Sequence, residues 1–338
     1  MNNNIIIGAG EEHLSLFRNE LPGLTYINFP GFRPGYSRFF PQYISLLFKI
    51  PVLMYHIIQE HYRLKKIIAK YDVDIVISDN RFGLWNTNVT TVYITHMPLI
   101  PFPPSMKLLE PIGVLIHRRI IKKYNFCFIP DLPGDLNLSG RLSHSIKLPD
   151  NVRYIGILSK FMSTEQSPEN KPVKFRHNTV ILSGPEPQRK ILKQKLVTLL
   201  IDKEPYTVFF EGKPENKNQV SEYGNIIFYN HLRSVQMKEI IGESDIIISR
   251  SGYTTIMELV SLGCSAIIIP TPGQTEQEYL ADYLSEKGWF KTFKQSEIKA
   301  GISLTLGKIM FTDEINRQSS NLLTAALNEL LEKCHNEN

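Results

Sequence analysis

Short runs of β-branched residues alternate with amphipathic stretches along most of this chain. The clearest case is residues 245–279, DIIISRSGYTTIMELVSLGCSAIIIPTPGQTEQEY, in which Ile246–Ile248 and Ala266–Ile269 each precede a small-residue loop and a helical pattern. Such strand–loop–helix units are typical of a parallel, doubly wound α/β sheet. In these sheets ligands bind beyond the carboxyl ends of the strands. The two loops are therefore the first candidates for a binding site.

The same patterns predict further elements on both sides of this stretch. Strands are predicted at Ile5–Ile7, Asp74–Ser78, Val92–Thr95, Phe126–Ile129, Thr179–Leu182, Tyr206–Phe210 and Ile226–Tyr229, and the segment Asn151–Leu158 brings the chain to the domain boundary. Helices are predicted at Glu11–Leu21, Val52–Lys70, Met106–Lys123, Met237–Glu243, Ser303–Ile309 and Asp313–Lys333, with one more ending at Leu200. Residues 159–172, SKFMSTEQSPENKP, are polar and contain prolines, as linkers between domains do.

The loop Ser249–Gly252 combines small residues with a cation directly before a predicted helix. Backbone N–H groups at a helix N-terminus bind phosphate, and Ser251 is a suitable N-cap. Glu258 follows seven residues after Ser251, which is roughly 10 Å along a helix axis at the usual rise per residue. A ligand with phosphate at one end and sugar hydroxyls farther on would contact both features. The loop and helix therefore indicate a nucleotide diphosphate.

Composition and charge narrow the class of protein. The most apolar stretch, Tyr43–Ile58, is interrupted by Lys49, Pro51 and His56, so it does not resemble a spanning helix. The start MNNNIII lacks the regions of a signal peptide, and three cysteines make neither a disulfide framework nor a metal motif. The net charge of +5 suits phosphates or a lipid surface, although solubility explains it equally well. We therefore expect a cytoplasmic protein without a metal site, a cofactor or a nucleic-acid partner.

Three motifs in the second half, ILSGPEPQR, ISRSGYTTIMEL and IPTPGQTEQEYLA, resemble the donor domain of family 28 glycosyltransferases. This is the two-Rossmann group typified by the peptidoglycan enzyme that adds N-acetylglucosamine to a lipid-linked muramoyl peptide. The segments VISDNRFGLWN, VYITHMP, NLSGRLSH and VRYIGILSKF resemble an uncharacterised bacterial branch of that family. The resemblance covers nearly the whole chain from about Ile5.

The resemblance implies two doubly wound, parallel-sheet Rossmann-like domains facing across a cleft, the GT-B-like fold. The expected parts are an acceptor-side domain at 1–158, a linker at 159–172, a nucleotide-sugar-binding domain at 173–312, and a C-terminal helix at 313–338 that packs back on the first domain. Residues 5–30 align with the second strand and helix of relatives. The first domain is therefore expected to lack its first βα unit, whose loop approaches the acceptor and the donor phosphates.

The resemblance also implies which side chains bind the donor. Glu258 would hydrogen-bond ribose hydroxyls, Gln277 would contact the sugar, and Glu278 stands where the peptidoglycan enzyme has a second glutamine. Glu278 is also suited to a capping box, Thr275-x-x-Glu278, that would tie it to the backbone. The remaining residues expected at the donor are Ser183, Gly184, Arg189, Asn230, His231, Leu232, Arg250, Ser251, Gly252, Thr254 and Gln274. A solvated surface position is the alternative for Arg189 and Arg250.

Two residues are candidates for the base that takes the acceptor proton in an inverting transfer. His96 and Asp79 both follow predicted strands at the ligand-binding edge. The alternative for His96 is a structural hydrogen bond, and the alternative for Asp79 is a cap on its own loop with Asn80.

The expected function is metal-independent, inverting transfer of a sugar from a uridine-diphosphate sugar, such as UDP-N-acetylglucosamine, to an unknown and lipid-linked acceptor. One alternative is a nucleotide-sugar 2-epimerase, for which Asp79, Asp131 and Glu258 are the available carboxylates. Another is a non-catalytic binding subunit that needs a partner subunit to complete its first domain. Apolar and basic residues at 36–66 and 101–123 predict attachment to an anionic membrane surface, and the alternative is that the apolar residues belong to the core.

Overall fold

The computed structural model describes residues 4–32, 48–162, 176–184, 186–212, 219–298 and 309–337. The chain divides into two compact units, each built from separate stretches of sequence. Unit 1 contains Met1–Arg38, Ser159–Pro272 and Leu284–Ile309. Unit 2 contains Phe39–Leu158, Gly273–Tyr283 and Met310–Asn338.

The strands and helices follow one another in an alternating α/β order, as the sequence predicts. The strands are β1 (Ile6–Ala9), β2 (Thr25–Asn28), β3 (Ile75–Asp79), β4 (Thr90–Ile94), β5 (Phe126–Ile129), β6 (Val152–Tyr154), β7 (His177–Ile181), β8 (Tyr206–Phe210), β9 (Val220–Tyr223), β10 (Ile226–Tyr229), β11 (Ile246–Ser249), β12 (Ile267–Ile268) and β13 (Lys291–Thr292). The helices are α1 (Glu11–Glu20), α2 (Ile50–Tyr71), α3 (Glu110–Ile121), α4 (Arg141–His144), α5 (Gln188–Leu200), α6 (Ser234–Gly242), α7 (Tyr253–Ser261), α8 (Thr275–Glu286) and α9 (Thr312–Glu337), with a 3₁₀ helix at Pro104–Leu109.

Unit 1 is organised around a seven-stranded sheet with the order β13-β12-β11-β7-β8-β10-β9. All pairs in it are parallel except β10 with β9. One face of the sheet buries leucines of α5, including Leu192 and Leu196, against Val180, Phe209 and Ile248. The strand β7 lies between β8 and β11. The strands that follow β7 in the chain are thus added first on one side of it, from β8 to β10, and then on its other side, from β11 to β13. This is the topological switch point at which doubly wound sheets bind ligands.

Unit 2 contains a parallel four-stranded sheet with the order β3-β4-β5-β6. Its core includes Val92, Phe126 and Phe128 from the strands and Ala326 and Leu330 from α9. The C-terminal helix α9 therefore packs against this sheet.

A close backbone approach holds α9 near the end of β6. Gly156 has a φ of +72°, and a Cβ atom there would overlap the backbone and side chain of Ser319 on α9. The backbone N–H of the next residue, Ile157, donates to Ser319 Oγ at 3.0 Å. Arg153 also donates to both carboxylate oxygens of Glu329, at 2.9 and 2.7 Å.

The expected α/β class with parallel sheets is confirmed, but several element boundaries were wrong. The predicted helix Met106–Lys123 is split into the 3₁₀ helix and α3, because Pro111 occupies the first turn of α3, where its missing N–H is tolerated. The segment Asn151–Leu158, for which no strand was predicted, contains β6, which ends at Tyr154 before the left-handed Gly156. The strand β9 was not predicted, since all of its residues are exposed and two of them are Ser221 and Glu222. The first residues of the predicted helix Ser303–Ile309 lie outside the described residues.

The division into units differs from the expected boundaries. Residues 1–38 belong to unit 1, whereas the first domain was expected to run from 1 to 158. Within the described residues β1 and β2 pair only with each other, and Ser234 Oγ of unit 1 lies 3.3 Å from Glu20 Oε2. The start of the expected linker is part of unit 1 as well, while residues 163–172 lie outside the described part.

Candidate nucleotide-sugar site

The N-terminus of α7 lies directly after β11, beside the switch point of the unit 1 sheet. Gly252, not Ser251, is the residue before the first turn, and no side chain caps this helix. Ser251 is fully buried and cannot serve as the predicted N-cap, whereas Thr254 in the first turn is exposed. A Cβ atom on Gly252 would have no neighbour within 4 Å. The arrangement leaves the positive end of the helix dipole uncapped by a side chain, which suits a phosphate group.

Arg250 is not placed to bind phosphate as predicted. Its side chain is 1% exposed. The guanidinium donates to the backbone oxygens of Ile269 and Pro270 at 3.2 and 3.1 Å, and to Gln188 O at 3.0 Å. It also donates to Gln295 Oε1 at 2.6 Å. Burial lowers the pKa of Arg250 to about 10. The residue therefore joins the loops after β11 and β12 to the start of α5.

Glu258 lies on α7 and is shielded from solvent, with only 12% of its side chain exposed. Its Oε1 atom lies 3.3 Å from Nζ of Lys160, which the sequence did not indicate as a site residue. Burial raises the pKa of Glu258, and the charge and hydrogen bond of Lys160 oppose that shift. A carboxylate in this position can accept two hydrogen bonds from vicinal hydroxyls.

The loop after β7 carries Ser183 and Gly184, and Arg189 follows in the first turn of α5. Gly184 is exposed, has a φ of +87° and has open space where a Cβ would be, so the backbone there can be approached closely by a ligand. Arg189 pairs with Glu186 at 3.1 Å and donates to Gly212 O at 2.7 Å. It bridges the ends of β7 and β8, so neither of the two alternatives, a solvated arginine or a phosphate ligand, describes it fully.

The turn after β10 is built by the side chain of Asn230, which is 4% exposed. Its Oδ1 atom accepts hydrogen bonds from the backbone N–H groups of Gln219 at 2.7 Å and His231 at 2.9 Å. His231 and Leu232 follow and are half-buried. Asn230 therefore shapes this turn, while His231 and Leu232 are the members that could contact a base through the backbone.

The remaining predicted residues belong to unit 2. Gln277 is buried, and Oε1 of Gln274 is buried without a hydrogen-bond partner among the described residues. Glu278 accepts the Gly273 N–H at 2.9 Å. The predicted capping box is not formed, because the hydroxyl of Thr275 donates instead to Pro101 O at 2.8 Å. Glu278 therefore holds the loop before α8 through a backbone hydrogen bond. The capping alternative expected such a contact of this carboxylate with the backbone, although at a different position.

His96 and Asp79 lie at the carboxyl ends of the adjacent strands β4 and β3. The ring of His96 places Nε2 2.8 Å from Oε1 of Glu276. Asp79 keeps contact with solvent, yet the protein atoms around it raise its pKa, and the nearby His96 opposes the shift. The structure thus brings both predicted base candidates into one group with a third residue.

The sequence reasoning missed Lys160, Glu276 and Gln295. Lys160 and Glu276 stand inside the motifs GILSKF and GQTEQEY that carry the resemblance, so the motifs located them without giving their roles. Nothing in the sequence pairs Gln295 with Arg250. Within the described residues, no group of three His, Cys, Asp or Glu side chains is placed to hold a metal ion.

Comparison with known sequences confirms the resemblance. Residues 199–332 match the family model described as "Glycosyltransferase family 28 C-terminal domain". A protein of Methanosarcina mazei named "Uncharacterized glycosyltransferase" is 24% identical over 68% of this chain and 63% of its own length. The UDP-N-acetylglucosamine--N-acetylmuramyl-(pentapeptide) pyrophosphoryl-undecaprenol N-acetylglucosamine transferase of Desulforamulus reducens is 34% identical, over 28% of this chain and 25% of its own length. The chain thus spans less than two thirds of each of these relatives.

Solved structures show the fold. The glycosyltransferase SnogD from Streptomyces nogalater matches 97% of this chain and 91% of its own, with a TM-score of 0.61 and 10% identity. The calicheamicin glycosyltransferase CalG4 matches 98% of this chain and 90% of its own, with a TM-score of 0.58 and 10% identity. These matches confirm the expected GT-B-like class for this chain.

Proposed function

We propose that this chain, whose residues 199–332 match the model of the glycosyltransferase family 28 C-terminal domain, transfers a sugar from a uridine-diphosphate sugar to an acceptor hydroxyl. The donor sugar we propose is N-acetylglucosamine, because the relative from Desulforamulus reducens is named for that transfer. The observation that carries the proposal is the pairing on α7 of an N-terminus without a side-chain cap and the shielded carboxylate of Glu258.

The two features on α7 match the two ends of a nucleoside diphosphate. Phosphate is stabilised at a helix N-terminus, and vicinal hydroxyls of a ribose donate to a carboxylate. Gly184 after β7 offers a second backbone approach on the neighbouring strand. His231 and Leu232 are the proposed contacts of the base, and Gln274 and Gln277 are the proposed contacts of the sugar.

The proposed reaction proceeds with inversion and without a metal ion. As the acceptor oxygen bonds to the anomeric carbon, the bond from that carbon to the diphosphate oxygen breaks. The diphosphate leaves with the electron pair, and the N-terminus of α7 stabilises its charge. His96 is the proposed base for the acceptor proton, with Asp79 as the second candidate.

We further propose that the acceptor is lipid-linked and that unit 2 attaches to the inner face of the cell membrane. The support is a group of exposed apolar side chains beside cations around α3. Leu108 is 94% exposed, and Ile112 and Ile116 are 56% and 53% exposed, so these residues are not core residues. No helix in the described part of the chain is long and apolar enough to cross a membrane.

The decisive experiment is calorimetric titration of the whole chain with UDP. We expect saturable binding, which Glu258→Gln weakens by roughly tenfold or more, because a hydrogen bond to a charged group contributes about 1.5–3 kcal/mol. The same substitution should leave the affinity for 2′,3′-dideoxyuridine diphosphate nearly unchanged. Glu243→Gln is the matched control, since Glu243 is an exposed glutamate at the end of α6. If UDP does not bind at millimolar concentration, the proposal fails.

Incubation with UDP-N-acetylglucosamine alone distinguishes the alternatives. Slow release of UDP to water supports a transferase. Formation of the 2-epimer without an acceptor would replace the proposal by the epimerase, and binding without any turnover would favour a non-catalytic subunit.

A further inference from the structure

A hydrogen bond in unit 2 joins two residues that are 180 positions apart in the chain, His96 and Glu276. His96 Nε2 and Glu276 Oε1 are 2.8 Å apart, and the two side chains are 21% and 20% exposed. Both therefore reach solvent while the hydrogen bond between them is largely shielded. The charge of His96 also acts on Asp79, where it opposes the rise in the pKa of that carboxyl.

Glu276 is held in place by contacts of the helix on which it lies. It is the second residue of α8, and Thr275 before it donates to Pro101 O. One turn farther, the Tyr279 hydroxyl accepts the backbone N–H of Arg141 at 2.7 Å. The Tyr283 hydroxyl then donates to Asn137 Oδ1, also at 2.7 Å.

The packing of this helix is close. A Cβ atom on Gly140 would overlap the Tyr279 hydroxyl, so α8 lies directly against the loop that contains Asn137 and Gly140. The first turns of α8 are thus anchored to the same unit that carries β4 and His96. The backbone that carries Glu276 is therefore held by contacts on both sides of this residue.

We propose that Glu276 is the positioning residue for His96, an inference that rests on the transferase function proposed above. The carboxylate of Glu276 accepts a hydrogen bond from Nε2–H of the neutral ring. This hydrogen bond fixes the tautomer of His96 and leaves the lone pair on Nδ1. When the acceptor hydroxyl attacks the anomeric carbon, its proton passes to Nδ1. Glu276 then stabilises the imidazolium that results, while UDP leaves with the bonding electrons.

The position of Glu276 in the chain links the base to the sugar contacts. Gln277, the proposed sugar contact, is the next residue on α8, and Glu278 after it fixes the preceding loop. A movement of the first turn of α8 on donor binding would therefore move the carboxylate that orients His96. This predicts that Glu276 acts on turnover more than on donor affinity.

The test that does not depend on activity is NMR of the protein with ¹⁵N-labelled histidine, which distinguishes the two neutral tautomers of the ring. The His96 signals are assigned by their loss in His96→Asn. In the wild type we expect the neutral ring to carry its proton on Nε2. In Glu276→Leu we expect both tautomers to be populated, because the acceptor that holds the proton on Nε2 is gone. Glu286→Gln, at an exposed position near the end of α8, is the control and should leave the His96 signals unchanged.

The second readout is release of UDP from UDP-N-acetylglucosamine. We expect Glu276→Leu to lower kcat by about tenfold to a hundredfold, part of the usual contribution of a general base. The affinity for UDP should change less than about threefold.

Two outcomes would overturn the inference. One is a tautomer of His96 that is the same in Glu276→Leu as in the wild type. The other is an altered tautomer population with kcat unchanged. Absence of UDP binding, by contrast, would refute the proposed function and would leave the NMR result intact, so the two failures are distinguishable.

Discussion

Burial of a carboxylate costs free energy unless its charge is compensated, and Glu258 is compensated only in part. The cation Lys160, which lies 3.3 Å from it, has a side chain that is 39% exposed. The net effect is a raised pKa of Glu258, caused first by burial and opposed by Lys160. The ionised side chain is therefore held at a cost that a ligand with hydroxyl groups would reduce.

The first prediction is that Glu258→Gln stabilises the protein near pH 7 while it weakens UDP binding. A raised pKa in the folded state favours the protonated form. The contribution of Glu258 to stability is thus fully present below the pKa that Glu258 has in the unfolded chain. It is lost as the pH rises through the raised pKa of Glu258 in the folded protein. The melting temperature of the variant should exceed that of the wild type at pH 7, and the difference should vanish near pH 4. A difference that grows toward acid pH would contradict the argument.

The second prediction concerns Arg250, whose guanidinium donates to three backbone oxygens and to Gln295. A lysine keeps the charge but cannot reproduce the planar fork of donors. Arg250→Lys should lower the free energy of unfolding by about 2 kcal/mol, because buried acceptors lose their donor. The substitution should also weaken the binding of UDP and of uridine to a similar degree, because the whole loop after β11 would shift.

The control for Arg250 is Arg176→Lys, because the Arg176 side chain is 85% exposed. This substitution should change neither stability nor affinity measurably. If Arg250→Lys weakens UDP much more than uridine and leaves the unfolding free energy unchanged, then Arg250 binds the diphosphate directly, as the sequence suggested.

At the scale of elements, the third prediction concerns the docking of α9. In Gly156→Ala, a left-handed backbone and an overlap with Ser319 both oppose the new methyl group. The expected loss is about 3 kcal/mol, from conformational strain together with overpacking. Gly134→Ala is the matched control, because Gly134 has a φ of +89° but nothing within 4 Å of a Cβ. Equal losses in denaturant unfolding of the two variants would show that Ser319 does not constrain this position.

The strands were predictable because hydrophobic periodicity reports burial directly. Phe126–Ile129, Tyr206–Phe210 and Ile226–Tyr229 lie where the pattern placed them. The strand β9 lacked that signal, since its residues are exposed. The break before α3 depended on one proline within a continuous amphipathic pattern, which periodicity alone does not resolve.

A site residue could be predicted where its role depends on its position at a strand end. It could not be predicted where its role depends on contact with a residue that is distant in sequence. Strand ends located Glu258, His96 and Asp79. The engagement of Arg250 by carbonyl groups and the contact of His96 with Glu276 depend on residues brought together only by folding. Sequence spacing carries no information about such pairs when 180 residues separate their members.

At the scale of the whole molecule, each unit is built from stretches that are distant in sequence. Residues 273–283 and α9 belong to unit 2 although the sequence places both beyond the expected linker. The proposed sugar contacts Gln274 and Gln277 and the candidate base His96 therefore share one unit. Domain boundaries predicted from the sequence divide the chain into consecutive segments, so they could not predict units built from separate stretches. Local composition identifies only the places where the chain is polar.

The last prediction concerns the membrane-facing surface proposed for unit 2. Arg119, Lys122 and Lys123 are exposed near the apolar side chains Leu108, Ile112 and Ile116. At the start of α2, Phe48 is 82% exposed, and residues 36–47 of the first predicted segment lie outside the described part. Exposed apolar residues flanked by cations favour an anionic bilayer surface.

The measurement is sedimentation of the chain with vesicles of anionic phospholipid at low and high salt. Each basic residue near an anionic leaflet contributes about 1 kcal/mol, so Arg119→Glu with Lys122→Glu should weaken binding by at least about tenfold at low salt. Lys203→Glu with Lys294→Glu is the control, because it makes the same change of charge at exposed positions of unit 1. If both double variants lose binding equally, net charge alone explains it. If the wild type does not bind at low salt, this surface does not attach to membranes.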